Sequence, residues 1–321
     1  MFLRTACSIV LLATSGMAAT AQNWPAKQPI KLISPFPPGA TPESVGRPVF
    51  DVVAKAIGQT YVFENRVGAG GTIGMATVAR ADPDGYTLLV NSSVHTITPT
   101  TYPNTKYDAL KDLVPIIPLA QFPNALVVPA ARYKTIKEMV DFGRANPGKL
   151  TYGSGGVGAS THLNAELLGL SAGFKAVHVP FRGAPDALRE VVGNRIDFYF
   201  SPLASALPVI QAGEVRALAV SSLKRSAYLP DVPTTLEAGY PNSDYLFWLG
   251  VFAPRGTPQA ILDRLHVEIR KAYDDANVKS VLAKQGADPF LLDPKAFDAF
   301  LHAEVKTNAK IVEAAGIKPA N

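Results

Sequence analysis

The chain has 321 residues, of which 47% are apolar, and its 31 basic and 26 acidic side chains give a net charge of +5. This length and apolar content suffice for two lobes with filled cores, and the basic residues are too scattered for the basic stripe typical of nucleic-acid binding. The single cysteine, Cys7, excludes disulfide frameworks and thiolate metal sites.

The first residues of the chain predict an export signal. Arg4 precedes an apolar stretch from Ala6 to Ala13, and Ala19-Thr20-Ala21 fits the small-x-small rule for signal cleavage. The apolar stretch is too short for a membrane span, which needs about 20 residues. We therefore predict residues 1–21 as a signal peptide cleaved near Ala21, and a periplasmic mature chain without any thiol.

Short apolar runs alternate with helical patterns along the rest of the chain. The predicted strands are Ile30–Ser34, Tyr61–Glu64, Thr87–Val90, Ala125–Val128, Leu150–Gly153, Val177–Val179, Ile196–Phe200 and Ala217–Ser221. Most are continuous apolar runs, which are typical of strands covered on both faces. Helix starts are predicted at the capping box Thr135-Ile136-Lys137-Glu138, at Thr257-Pro258 and at Asp293-Pro294. This alternation predicts the α/β class.

Two segments look like crossings between domains. The first is the proline-punctuated apolar run Pro115–Pro129, and the second is the loop-rich stretch Lys224–Asp244, which leads into the apolar strand Tyr245–Ala253. If both cross between lobes, the middle of the chain folds as one lobe and the two ends fold together as the other. We predict residues 22–122 plus 246–321 as lobe 1, and 123–245 as lobe 2.

The loop after the first strand, Pro35–Glu43, is the first candidate binding segment. Its prolines stiffen it, Gly39 permits a turn, and a helix is predicted to start near Thr41-Pro42 with Glu43 in the first turn. A stiff loop at a helix start presents free N–H groups and a positive dipole end, so it could hold a carboxylate without arginine. A rigid turn that binds nothing explains the same residues equally well.

The second candidate is the Gly/Ser loop Tyr152–His162. Gly153-x-Gly155-x-x-Gly158 matches the dinucleotide fingerprint, but the next strand ends in His178–Arg182 without the acidic residue that would hold the ribose. A second anion cradle is the better interpretation. Its donors would be glycine N–H groups and hydroxyl groups, the latter from Ser154, Ser160 and Thr161.

Other chemistries find little support. The glycine-rich segment Glu64–Gly74 lacks the third fingerprint glycine and the Lys-Ser/Thr pair of a phosphate loop, so we interpret it as tight packing. The five histidines show no zinc-ligand spacing, and no Gly-x-Ser-x-Gly elbow is present. Two aromatic patches, Phe198–Pro202 and Phe247-Trp248, are either core or cleft. In the cleft interpretation Phe200, Ser201 and Trp248 would contact a ligand.

An ordered set of motifs resembles one family, the Bug receptors, which are the periplasmic solute-binding components of tripartite tricarboxylate transporters. The resemblance covers nearly all of the mature chain. The motifs, in order, are Pro35-Phe36-Pro37-Pro38-Gly39, Glu64-Asn65-Arg66, Asp82-Pro83-Asp84-Gly85-Tyr86, His162-Leu163 with Glu166, His178-Val179-Pro180, Pro230-Asp231-Val232-Pro233-Thr234 and Ala253-Pro254-Arg255-Gly256-Thr257-Pro258. Each motif alone is weak, but the ordered set is specific.

The resemblance implies an α/β fold of the two-lobed periplasmic-binding-protein class, a Venus flytrap of type II-like form with two crossing strands at the hinge. It implies a small organic acid as ligand, held partly through waters by the first loop and the Gly/Ser loop, and a membrane permease as partner. No cofactor, metal or nucleic acid is expected, and the protein should be a monomer. The ligand residues expected are Phe36, Pro38, Gly39, Ala40, Thr41, Ser92, Ser93, Ser154, Gly156, Ser160, Thr161, Phe200 and Ser201.

The chain departs from the family pattern in the first loop. Ala40 stands where the family usually has a second glycine, and Glu43 stands where it has aspartate, so the loop could be shaped differently. At Ser201 many relatives carry aspartate, and serine disfavours a ligand with a charged amine. We predict a non-enzymatic receptor that closes its cleft on a dicarboxylate or aromatic carboxylate. A sensor that passes the same acid to a signalling partner, and a periplasmic enzyme, are the alternatives.

Overall fold

The α/β class is confirmed by a computed structural model, which describes residues 24–181 and 183–319. The predicted signal peptide lies outside these residues. The strands are β1 (Ile30–Ser34), β2 (Tyr61–Asn65), β3 (Thr87–Ser92), β4 (Leu113–Pro129), β5 (Leu150–Ser154), β6 (Ala176–Pro180), β7 (Phe198–Pro202), β8 (Val215–Val220), β9 (Leu246–Pro254) and β10 (Asp288–Pro289). The α-helices are α1 (Thr41–Ile57), α2 (Thr72–Ala79), α3 (Val94–Thr101), α4 (Ile136–Ala145), α5 (Ser160–Ala172), α6 (Ala184–Val192), α7 (Leu203–Gln211), α8 (Gln259–Ala272), α9 (Ala276–Lys284) and α10 (Pro294–Ala314).

The strands form one hydrogen-bonded path in the order β2-β1-β3-β9-β4-β7-β5-β6, and β8 and β10 also pair with β4. β1 is parallel to β2 and β3, and β5 is parallel to β6 and β7. The carboxyl ends of parallel strands share an edge, which is where ligands bind in open α/β sheets. The first loop and the β3–α3 junction therefore lie at one such edge, and the Gly/Ser loop lies at the edge of the other parallel group.

The predicted first crossing, Pro115–Pro129, forms most of the single long strand β4. Its first part pairs antiparallel with β9, and its last part pairs with β7 and β8. Proline has no N–H to donate to a ladder, and the register shifts between Pro115 and Ile117 and between Pro118 and Ala120 accommodate its presence here. The predicted strand Tyr245–Ala253 is β9 with bounds one residue later.

The buried apolar residues separate into groups that follow the two halves of the chain. Two core clusters contain residues from 30–122 and 248–301, and two others contain residues from 125–240. This separation supports the predicted lobe boundaries, 22–122 plus 246–321 and 123–245, which stay a prediction. A smaller cluster joins the halves, since Ile97 of α3, Leu163 of α5, and Ile311 and Val312 of α10 pack together with Tyr245.

Local sequence signals place the predicted helix starts correctly. The Thr135 side chain accepts a hydrogen bond from the Glu138 amide at 3.2 Å, and the Asp293 side chain accepts one from the Ala296 amide at 2.8 Å. Both are N-caps, and each satisfies a donor that has no partner within its helix. The helix predicted after Thr257-Pro258 starts at Gln259.

Candidate functional site

The Gly/Ser loop of lobe 2 reaches the loop edge of lobe 1. A Cβ atom built on Gly158 would lie 3.0 Å from Cγ2 of Thr101, at the end of α3. The start of α3 in turn lies beside the 3₁₀ turn Ala69–Gly71 and Pro35, because a Cβ on Gly71 would be 3.2 Å from Val94 and 3.4 Å from Pro35. The two candidate loops therefore both lie near α3, the Gly/Ser loop at its end and the first loop at its start.

The first loop presents only some of the free amides predicted for it. The Gly39 N–H donates to Oε2 of Glu43 at 3.0 Å, and the Ala40 N–H donates to the carbonyl of Pro37 at 3.2 Å. The predicted helix start is confirmed, since α1 begins at Thr41 with Glu43 in its first turn. The prediction did not foresee that the Glu43 side chain, which is longer than the aspartate usual at this position, turns back and bonds the loop backbone. Among the described residues, the amides of Phe36 and Thr41 keep no partner.

Glu43 is held firmly in this position. Its Oε1 accepts from Nε of Arg47 at 2.8 Å and from a second Arg47 nitrogen, and Asn65 Nδ2 lies 3.4 Å from Oε2. The hydrogen bonds from Arg47 and from the Gly39 amide hold the pKa of this carboxyl below its usual range, so Glu43 is ionised at neutral pH. The lobe 1 loop thus contains its own carboxylate and the matching cation.

The glycine amides of the second loop are also bonded within the protein. The Gly155 N–H donates to Oγ1 of Thr161 at 2.9 Å, and the Gly156 N–H donates to Oγ of Ser154 at 3.0 Å. The Gly158 N–H donates to Nδ1 of His162 at 3.0 Å. The Ser154 hydroxyl also donates to the Gly156 carbonyl at 2.9 Å, so it shapes the loop, whereas the Thr161 hydroxyl accepts from Gly155 and keeps its own proton to donate.

The first turn of α5 provides the open donors. Among the described residues, the amides of Ser160 and Thr161 have no hydrogen-bond partner, and Ala159 at the N-cap has no side-chain cap to satisfy them. Their N–H groups point out of a 13-residue helix at its positive dipole end. These two amides, together with the Ser160 hydroxyl, form an arrangement suited to a carboxylate.

The β3–α3 junction adds buried uncharged groups on the lobe 1 side. Ser92 and Ser93 are fully buried, and Oγ of Ser92 accepts from the Val94 amide at 3.3 Å. Within the described residues, the Ser93 hydroxyl and both amide atoms of Asn91 have no partner. The hydroxyl of Ser34, at the end of the neighbouring β1, is also buried without a hydrogen-bond partner among the described residues. Buried groups of this kind are costly unless a water or ligand satisfies them.

A pair of stacked histidines contacts the Gly/Ser loop. The sequence alone did not indicate this pair. The rings of His162 and His178 lie 3.8 Å apart, and Nε2 of His178 is 2.6 Å from Oγ of Ser154. Burial lowers the pKa of His162 to about 3 and that of His178 to about 4, so both are neutral. The available signal was the parallel register that sets His178 beside Tyr152 on β5.

Ser154 and His178 resemble a nucleophile and its base in distance alone. Ser154 is fully buried, and its hydroxyl oxygen already accepts from the Gly156 amide. Its proton is also within reach of the Gly156 carbonyl at 2.9 Å, so the hydroxyl is engaged within the loop and the pair is better explained as a support for the loop. Within the described residues, no group of three or more His, Cys, Asp or Glu side chains could hold a metal ion.

The aromatic candidates lie in the cores. Phe200 is fully buried in the lobe 2 core with Leu126 and Tyr152, and Trp248 is fully buried in the lobe 1 core. Ser201 follows Phe200 in the chain and is also buried. Its hydroxyl donates to the carbonyl of Pro202 at 3.2 Å. These placements favour the core interpretation, so we leave Phe200 and Ser201 out of the proposed contacts.

Comparison with known proteins assigns the chain to a family. The family model for the tripartite tricarboxylate transporter family receptor matches residues 45–317. A protein encoded in the tcbD–tcbE intergenic region of Pseudomonas sp. strain P51 is 40% identical over 281 residues, covering 86% of this chain and 84% of that protein.

Solved structures agree. An R. palustris protein with adipate has a TM-score of 0.83 at 30% identity, covering 92% of this chain and 100% of that one. The periplasmic binding protein BugD has a TM-score of 0.79 at 30% identity, covering 92% and 99%. In the described part of the chain, none of the helices combines the length and apolarity needed to cross a membrane. The predicted resemblance is thus confirmed, and the chain belongs to the tripartite tricarboxylate transporter receptors, a family of periplasmic solute-binding proteins.

Proposed function

We propose that the protein captures a small carboxylate, either a dicarboxylate or an aromatic carboxylate, by closing two lobes around it, and delivers it to the permease of a tripartite tricarboxylate transporter. Export through removal of residues 1–21 would place it in the periplasm as a monomer. The observation that carries this proposal is the pair of unpartnered amides of Ser160 and Thr161, at the start of a helix that faces the lobe 1 edge.

The proposed direct contacts divide between the lobes. Ser160 and Thr161 hold the ligand carboxylate, while Phe36, Thr41 and Ser93 contribute from lobe 1. Pro38, Gly39 and Ala40 shape the first loop, and Ser92, Ser154 and Gly156 keep the backbone of their segments in place. A micromolar affinity requires about −8 kcal/mol. Three charge-assisted hydrogen bonds to the carboxylate, of about 1.5–3 kcal/mol each, and the neutral contacts from lobe 1 contribute energy of this order, less the ordering costs of binding.

A thermal-shift screen tests the proposal directly. Mature protein is heated with mono-, di- and tricarboxylates, aliphatic and aromatic, with amino acids and with neutral sugars. A ligand that binds only the folded state raises the melting temperature, so at least one carboxylate should stabilise the protein in a concentration-dependent way. Stabilisation by amino acids or neutral sugars alone would refute the ligand class. Turnover of a bound acid would refute the receptor assignment.

A further inference from the structure

Glu43 accepts the Gly39 N–H, one of the loop amides that were predicted to be free for a ligand carboxylate. Its Oε2 accepts from the Gly39 amide at 3.0 Å, and its Oε1 accepts from Nε of Arg47 at 2.8 Å. The Arg47 side chain is half exposed, and two of its nitrogens already bond the same carboxylate oxygen. The Gly39 amide and the Arg47 guanidinium are therefore both bonded to Glu43 before any ligand arrives.

The first turn of α1 contains the ionised Glu43, whereas that of α5 has no acidic residue, and the groups that remain available on lobe 1 are neutral donors and acceptors. They are the amides of Phe36 and Thr41 and the buried, unpartnered polar side chains at the ends of β1 and β3, which are Ser34, Asn91 and Ser93. A hydroxyl and a primary amide both donate and accept hydrogen bonds. They suit a hydroxyl, carbonyl or amide on a ligand as well as they suit water.

From this asymmetry we infer that the ligand carries one carboxylate, held at the start of α5 on lobe 2, and that the end facing lobe 1 is uncharged. The inference rests on the proposed function and narrows its substrate class to monocarboxylates, such as aromatic or hydroxylated monoacids. A second carboxylate near the first loop would face the ionised Glu43, whose charge partner Arg47 is already engaged, and like charges repel.

Matched pairs of acids test this inference. Dissociation constants are measured by calorimetry for hexanoate against adipate and for benzoate against terephthalate, with wild-type protein. The members of the first pair have the same number of carbon atoms, and those of the second pair share a benzene ring. In each pair only one member carries a second carboxylate. We expect the monocarboxylate to bind at least ten-fold more tightly in each pair that binds, after correction for the two equivalent ends of the diacid.

A variant links the preference to Glu43. Glu43→Ala frees the Gly39 amide and the Arg47 guanidinium, so the monoacid-to-diacid preference should shrink at least ten-fold. Glu190→Ala on α6 is the matched control, since Glu190 also forms an ion pair with an arginine, Arg195, on the surface of lobe 2. This control should keep the wild-type preference.

The outcomes separate the inference from the function on which it rests. Tighter binding of the diacids by wild-type protein overturns the inference and leaves the carboxylate receptor intact. An unchanged preference in Glu43→Ala, or an equal loss in Glu190→Ala, also overturns it. The wild-type comparison needs no variant, so the test holds even if Glu43→Ala does not fold. Failure of every carboxylate to bind is a failure of the proposed function instead.

Discussion

At the scale of single residues, the two binding loops differ in how their amide hydrogens are used. In the first loop, Glu43 takes the Gly39 N–H for the protein itself. In the second, Thr161, Ser154 and His162 tie the glycine amides, while the backbone of Ser160 and Thr161 stays open. The Glu43 side chain thus disfavours a ligand carboxylate at the first loop, while the open amides of Ser160 and Thr161 favour one at the second.

Gly158 provides a residue-scale prediction about closure. Its φ of +76° is in the left-handed region, and an added Cβ would press on Thr101 at 3.0 Å. Gly148, with a φ of +72° and open space around it, is the matched control. Gly158→Ala and Gly148→Ala should each lower the free energy of unfolding by about 1–2 kcal/mol, because both adopt the left-handed conformation.

Only Gly158→Ala should also weaken ligand binding, since only it keeps the lobes apart. Denaturant unfolding and calorimetry with a carboxylate from the screen measure the two effects. Equal affinity of both variants would show that the contact between Gly158 and Thr101 plays no part in closure.

At the scale of secondary-structure elements, the sequence predicted what depends on local chemistry. The strand β1 and the helix starts at Thr135 and Asp293 follow from apolar runs and capping residues, and the structure has them there. The partners of loop amides could not be predicted, because they depend on side-chain rotamers that local patterns do not specify. The stacking of His162 on His178 could not be predicted either, since it requires the pairing of β5 with β6.

The histidine pair beneath the start of α5 gives a pH-dependent prediction. The folded protein keeps His162 neutral down to a pKa of about 3, whereas the unfolded chain protonates it near pH 6.5. The free energy of unfolding should therefore fall as pH drops below 6.5, by about 2 kcal/mol from this residue at pH 5.

His162→Asn should remove this part of the pH dependence, because asparagine offers an acceptor to the Gly158 amide and does not titrate. The control is His302→Asn on the exposed face of α10, which should keep the wild-type slope. Urea unfolding from pH 5 to 8 measures the effect. A wild-type slope in the His162→Asn variant would contradict the neutral, buried histidine described above.

At the scale of the whole molecule, a network of hydrogen-bonded polar side chains joins the helices α3 and α10 to the strand β9. Trp248 Nε1 and Thr96 Oγ1 both donate to Glu304 at 2.7 Å, and Asn308 Nδ2 donates to Thr96 at 3.1 Å. The Tyr245 hydroxyl donates to Asn308 at 2.9 Å, while its backbone N–H bonds Ser221 in the second half of the chain. Through Tyr245, the network therefore connects α3, α10 and β9 of lobe 1 to Ser221 of lobe 2.

Glu304 provides the whole-molecule prediction. Burial raises the pKa of this carboxyl from its ordinary value of 4.5 to about 7, so folding stability is lost as pH rises from 4.5 through 7. Glu304→Gln should be more stable than wild type at pH 8, by up to about 3 kcal/mol, and nearly equal to it at pH 4.5. Thermal unfolding at both pH values measures this, with the exposed Glu313→Gln as control. A variant that is less stable at pH 8 would show that ionised Glu304 is favourable in the network.

The central claim is that backbone amides at the start of α5 hold the ligand carboxylate. Ser160 is the first helical residue, and Ala159 before it has the extended ψ of 155° that a following proline requires. Ser160→Pro therefore removes one open N–H with little change to the helix, and Ser160→Ala removes only the hydroxyl.

Calorimetry of both variants, with the carboxylate that binds wild type best, is the most direct measurement. A charge-assisted hydrogen bond contributes about 1.5–3 kcal/mol, so Ser160→Pro should bind at least ten-fold more weakly than Ser160→Ala while melting at a similar temperature. Equal affinities for the two variants would show that this amide does not hold the carboxylate.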